Sequence, residues 1–188
     1  MTIPLDYRPA DLIREMQRIA AASDDPFEIV QRLREPARRL ALAADWLEPR
    51  FFECDAEQGF GLHLLHEEGD HRLAMLVASW LPGRGVVPHN HGTWAVVCGV
   101  KGQETNVFWR RADDRSRPGH AEIVEAGRTI CGPGDVVHFL PDDIHSVHNE
   151  TTEIAVSLHL YGRHINHTVR SKFDPVSERE EPIQVSVR

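Results

Sequence analysis

From residue 60 onward the chain is a succession of short β-type runs separated by Gly, Pro and acidic turns, with no helical stretch between them. The runs cover residues 60–66, 72–80, 93–100, 104–110, 122–124, 136–140 and 154–160. Many short strands with turn signals and no intervening helices predict an antiparallel sandwich or barrel. Val100-Lys101-Gly102-Gln103 reads as a hairpin turn between two of these strands. The first 48 residues have a helical texture instead. Pro9-Ala10-Asp11 suits a helix start, followed by Leu12, Met16, Ile19 and Ala20 at helical spacing. Asp24-Asp25-Pro26 starts a second short helix with Phe27, Ile29, Val30 and Leu33, and Pro36 opens a third with Leu40, Leu42, Ala43 and Leu47. None of these segments holds a catalytic cluster, so they are expected to cap a sheet. The tail after Phe173 is polar, acidic over 178–181, and strand-like over 183–187; it either wraps the barrel edge or is partly disordered.

A length of 188 residues is enough for one well-buried core. The expected organisation is one domain over 1–188, with a helical cap (1–48), a barrel (60–175) and a tail (176–188). The net charge of −8 argues against nucleic acid or an anionic membrane as partner, since both bind basic patches. No apolar run approaches the roughly 20 residues that span a bilayer. Residues 1–7 lack the basic and apolar regions of a secretory signal. Three cysteines (Cys54, Cys98, Cys131) at no regular spacing do not make a disulfide framework. The expectation is a cytoplasmic, reduced protein.

His89-Asn90-His91 carries the chemistry. On an extended strand side chains alternate, so both imidazoles lie on one side and reach one metal ion. His145, from another strand and preceded by Gly134 and Pro141, would complete a facial set of nitrogen ligands. Three protein ligands leave positions open for substrate, the mark of a catalytic metal. Ser157, His159 and Tyr161 are spaced by two on one strand and so share a face, where hydroxyl, imidazole and phenol can form a chain.

These motifs resemble the two signatures of the cupin superfamily: Gly83, five residues, His89-x-His91 and Gly102, then Gly134, ten residues, His145, three residues and Asn149. Pro141 falls one position later than in that pattern, and Ala95 replaces the glutamate that usually follows the histidine pair. A three-histidine site without the carboxylate, together with Ser157-x-His159-x-Tyr161, is similar to the thiol dioxygenases of the cysteine dioxygenase family. The resemblance implies a mainly β fold, the cupin double-stranded β-helix or jelly-roll barrel, below the N-terminal helical cap. It implies Fe(2+) held by His89, His91 and His145, with Ser157, His159 and Tyr161 in the catalytic machinery. It implies oxidation of a small thiol carboxylate to a sulfinate by O2.

Substrate choice divides that family. The region of the mammalian-type carboxylate-binding arginine is Phe60-Gly61-Leu62-His63-Leu64 here, without arginine. Bacterial 3-mercaptopropionate dioxygenases place an arginine nine residues after the tyrosine, matching Arg170. The resemblance therefore favours 3-mercaptopropionate, then L-cysteine; mercaptosuccinate needs a second basic group, for which Arg163 and Lys172 are candidates. Val96 stands where the mammalian-type crosslinking cysteine lies, and Cys98 is expected to point away from the histidine face as a small buried hydrophobe. His138 and His148 are decoys flanking His145. His63, His66, His71, His120, His164 and His167 are expected to be surface or hydrogen-bonded residues rather than ligands, with His164 and His167 near enough to the arginine for the pocket mouth as an alternative. Trp94 suits either a pocket wall or the core. The alternatives are another metal-cupin enzyme, an isomerase or a carbon-oxidising dioxygenase, and a non-enzymatic cupin that senses a small ligand. No basic helix-turn-helix segment accompanies the barrel.

Overall fold

The computed structural model describes residues 7–43 and 45–188. Positions 1–6, on which the reading of the N-terminus rests, lie outside them. Helix α1 (Pro9–Ala21) has Pro9 in its first turn, where the missing N–H costs nothing, and the Arg8 N–H is held by Asp11 at 2.9 Å. Its buried stripe is Leu12, Met16 and Ile19.

Helix α2 runs unbroken from Pro26 to Ala43, so the two helices expected on either side of Pro36 are one. An internal proline costs about 3 kcal/mol. Ile29, Val30, Leu33, Ala37 and Leu40 nevertheless form one buried stripe through it, and each large apolar side chain returns about 1.5–3 kcal/mol on burial. Packing on the sheet outweighs the local penalty.

The strands are β1 (Phe60–His66), β2 (Arg72–Trp80), β3 (Gly85–His89), β4 (Ala95–Lys101), β5 (Glu104–Arg111), β6 (Ile123–Cys131), β7 (Val136–Phe139), β8 (Ile144–His148), β9 (Ala155–Arg163), β10 (Ser171–Asp174) and β11 (Arg179–Pro182). They form two antiparallel sheets, ordered β1-β2-β9-β4-β7 and β11-β10-β3-β8-β5-β6. The fold is mainly β, with two antiparallel sheets under a two-helix cap.

β4 and β5 do not form the expected hairpin. β4 pairs with β7 and β9, while β5 pairs with β6 and β8. The turn at Gly102 (φ +67°), pressed against the Ala155 backbone, carries the chain from one sheet to the other. Local turn chemistry is the same in both cases; the sheets' burial decides.

The central strands have two different faces. On β9, Val156, Leu158 and Leu160 pack with β2 residues Met75 and Val77 beneath the helices. Tyr161, with Ala74, Leu76 and Trp80 of β2, belongs to the separate cluster inside the barrel. The tail follows the barrel edge: after β11, Arg188 exchanges backbone hydrogen bonds with Leu62 and Leu64 of β1, each 2.8 Å. Val185 and Val187 pack against the inner cluster.

Candidate metal centre and its pocket

His89 closes β3, and its register partner on β8 is His145. Pro88, which has no N–H for the ladder, sits at the register shift between Val86 and His89. His91 lies beyond the strand, in the loop after it, so the pair does not occupy one continuous strand as expected. The three rings still converge: centroids are 5.1 Å apart for His89–His91, 4.6 Å for His89–His145 and 5.0 Å for His91–His145. One ring nitrogen from each lies within 4.8 Å of the others. All three side chains are buried.

Their tautomers suit a cation. The Val87 carbonyl can only accept, so His89 Nδ1 donates to it at 2.9 Å, leaving the Nε2 lone pair free. His145 Nδ1 donates to Asn106 Oδ1 at 2.9 Å, and its Nε2 lies 3.3 Å from His91 Nε2. Burial is the main cause holding all three imidazoles neutral, with His89 lowered to about 3. His91 Nδ1 is buried without a partner. A buried set of neutral imidazoles, with the lone pairs of His89 and His145 turned inward by their Nδ1 bonds, fits a borderline divalent metal such as iron(II) or zinc, and Ala95 supplies no carboxylate.

The Ser157-His159-Tyr161 strand face is a continuous hydrogen-bond chain. Tyr161 OH lies 2.9 Å from His159 Nδ1, and His159 Nε2 lies 2.9 Å from Ser157 Oγ. Burial pushes the Tyr161 phenol up and lowers His159 to about 3, so both are neutral. The Tyr161 ring packs 5.3 Å from that of His91.

Arg170 enters the same cavity from the segment before β10. The histidine loop itself aims it. Ser171 N–H donates to Asn90 Oδ1 (2.7 Å), Asn90 N–H donates to the Ser171 carbonyl (3.1 Å), and Thr168 Oγ1 donates to the His91 carbonyl (2.7 Å). At Gly92 (φ +63°) any Cβ would collide with the Val169 carbonyl, so glycine lets the two segments touch. Arg170 is 5% exposed, its Nε has no partner, and no carboxylate pairs with it among the described residues. Burial lowers its affinity for the proton, with Tyr161 opposing.

The cavity is small, about 30 Å³, and its apolar walls include Phe60, Leu62, Val86, Val147, Ile165 and Val185. No aspartate or glutamate lines it, and Arg170 is its only lysine or arginine among the described residues. Lys172 instead pairs with Glu181 (3.1 Å), and Arg163 reaches the Asp70 carbonyl (3.3 Å). Neither furnishes a second cationic group there.

Other histidines lie elsewhere. His138 sits against Gln31 and Arg34 of α2, and His148 is exposed beside Ser146. His164 and His167 do not line the mouth; they gather with Glu67, which bonds His71 at 2.6 Å, and His167 stacks on His71. Trp94 belongs to the helix-side core. Cys98 is there too, on the opposite face of the sheet from Tyr161.

Glu104 and Asn106 escaped the sequence reading. Both are buried, and both bond the site's side chains. Their signal was a polar pair spaced by two within a strand, immediately after the first histidine motif.

No family model matches the chain, and no curated protein matches it. Solved structures do. One is a conserved protein with a double-stranded β-helix domain from Klebsiella pneumoniae, 11% identical, covering 67% of this chain and 88% of that one with TM-score 0.47. Another is oxalate oxidase in complex with the substrate analogue glycolate, 12% identical, covering 62% and 59% with TM-score 0.47. A third is the cupin domain of a transcriptional regulator from Enterobacter cloacae, 15% identical, covering 57% and 99% with TM-score 0.41. The likenesses concern fold alone, and these neighbours include both an enzyme and a regulator's domain.

Proposed function

We propose that the protein is an Fe(II)-dependent thiol dioxygenase that converts a small mercapto-carboxylate to its sulfinate with O2, with 3-mercaptopropionate preferred to L-cysteine. One observation carries this reading: a buried, unpaired arginine opens on the same small cavity as three neutral histidines and a tyrosine hydroxyl. Burying an unpaired ion costs several kcal/mol, so an anionic ligand is the natural complement to Arg170, and a guanidinium holds a carboxylate through two parallel hydrogen bonds. His89, His91 and His145 would hold the iron, which supplies open coordination positions for a thiolate and a redox centre for dioxygen.

The chain's own groups do the rest. Arg170 fixes the carboxylate end, and the apolar walls exclude water and accommodate the short methylene linker. The Tyr161 oxygen, held by His159, handles a proton at the sulfur end. The preference over cysteine follows from the lining. An ammonium group would enter a cavity with no acidic residue to pair with it, and desolvating an unpaired charge is costly.

Oxygen uptake by iron-loaded protein against a panel of thiols tests the proposal. The expected order of kcat/KM is 3-mercaptopropionate above L-cysteine, with a neutral thiol lowest. Arg170→Ala should cost the acid about 2–5 kcal/mol, on the order of 30-fold or more in KM, and leave the neutral thiol nearly unchanged. A clear preference for cysteine would overturn the substrate assignment. No uptake with any thiol would overturn the thiol dioxygenase reading and favour an isomerase, a carbon-oxidising enzyme or a ligand sensor.

A further inference from the structure

Behind the Ser157-His159-Tyr161 chain lies a carboxyl group with no role so far. Glu104, on β5, is 2% exposed. Ser157 Oγ lies 2.8 Å from its Oε2, and Asn106 Nδ2 donates to its Oε1 at 3.1 Å. Asn106 Oδ1 in turn accepts from His145 Nδ1. Five hydrogen bonds thus connect Tyr161, at one side of the cavity, to the metal-type ligand His145 at the other.

Donor counting makes this chain directional. Trp80 Nε1–H donates to Ser157 Oγ at 3.2 Å. The serine then has one lone pair and one proton left for Glu104 and His159, so it must accept from one and donate to the other. If Glu104 is ionised, Ser157 donates to it and accepts from His159 Nε2–H. His159 Nδ1 then accepts from the Tyr161 hydroxyl, whose lone pairs face the cavity. If Glu104 is protonated on Oε2, the three links from Glu104 to Tyr161 reverse and Tyr161 points its own proton into the cavity.

We propose that Glu104 is the positioning residue at the far end of this chain, taking up the proton that a thiol loses on binding, and that its charge sets which face the Tyr161 hydroxyl presents. The step balances. The S–H bond breaks, and its proton goes to Tyr161 Oη. The tyrosine's proton passes to His159 Nδ1, the histidine's Nε2 proton to Ser157 Oγ, and the serine's to Glu104 Oε2. The sulfur is left as thiolate, and no electron is transferred. The identity of the proton donor rests on the thiol reading; the switch in Tyr161 does not.

The surroundings suit a group that titrates without competition. Burial raises the Glu104 carboxyl, while its hydrogen bonds to Ser157 and Asn106, and the nearby Trp80 N–H, oppose that rise. Across from it on β6 is Cys131, and Cys98 approaches from β4; both thiols are pushed up to about 12 by burial and stay neutral. Asp135, in the turn before β7, acts on those two thiols. From β9 it meets Ser157 directly and, farther along, the neutral His159 and Tyr161. No lysine or arginine bonds it among the described residues.

Glu104→Gln has a defined outcome. His145 fixes the orientation of the Asn106 amide, so the glutamine must turn its oxygen to Asn106 and its NH2 to Ser157. That locks the arrangement in which Tyr161 donates. The experiment is nitrogen NMR of the His159 ring in the full chain loaded with zinc, which is diamagnetic, from about pH 4 to about pH 9. In the wild type the ring proton should move from Nδ1 to Nε2 as pH rises; in Glu104→Gln it should stay on Nδ1. If Glu104→Gln does not fold, Ser157→Ala cuts the same link and should leave the His159 tautomer indifferent to pH. On iron-loaded protein, the acidic limb of kcat/KM should vanish in Glu104→Gln, with activity lowered about 10²-fold or more. A wild-type tautomer that never moves, or one that titrates equally in Glu104→Gln, overturns the proposal. Because the NMR signal needs no thiol, failure of the switch and failure of the thiol reading are told apart.

Discussion

β9 has two faces made by alternate residues of one strand, and they obey different rules. Toward the helices, Val156, Leu158 and Leu160 belong to a large apolar cluster, and shape and volume suffice. Toward the barrel, Ser157, His159 and Tyr161 each need a partner of defined polarity at about 2.9 Å. The outer face is therefore expected to set stability, and the inner face to set chemistry, with little exchange between the two.

The strongest way to break that division is His145→Ala. It should abolish stoichiometric iron binding and bring thiol oxidation to background, as read by metal analysis and oxygen uptake, while the helix-side core stays folded. Full iron and full activity in that variant would remove His145 from the ligand set. Tyr161→Phe removes one hydroxyl and almost no volume. Turnover should fall about 10²–10⁴-fold, or toward the lower end of that range if the hydroxyl acts only through positioning, with iron content unchanged. Leu158→Ala tests the other face: a loss of about 2–5 kcal/mol in denaturant unfolding, with unaltered KM and iron stoichiometry in the folded protein. A large KM change would mean that the faces are coupled. The smallest effect should come from Cys98→Ala, at about 1 kcal/mol. Intact mass of the wild type should also show no two-hydrogen loss from a Cys98–Tyr161 thioether, since those residues lie on opposite sides of the sheet.

The inner face of β9 was legible because period two is a local property: Ser157, His159 and Tyr161 announce themselves on any strand. The histidine spacing was legible for the same reason, although β3 ends at His89 and leaves His91 in a loop. Pro36 misled because its helix-breaking tendency is local, whereas the stripe from Ile29 to Leu40 that overrides it acts through the sheet. The jump at Gly102 and the partnership of Glu104 with Ser157 depend on which sheet each strand joins. Residues 104 and 157 become neighbours only when the barrel closes, and no local pattern encodes that.

Asn90 and Gly92 hold the Arg170 segment against the loop that carries His91. An evolving lineage therefore cannot easily trade one substrate for another by sliding the arginine, because the same displacement would disturb a histidine of the metal-type set. New specificities are more accessible through the walls, at positions such as Leu62, Val86 or Val185, where a change of bulk leaves the clamp alone. The clamp makes the arginine end of the cavity a slow character and its lining a fast one.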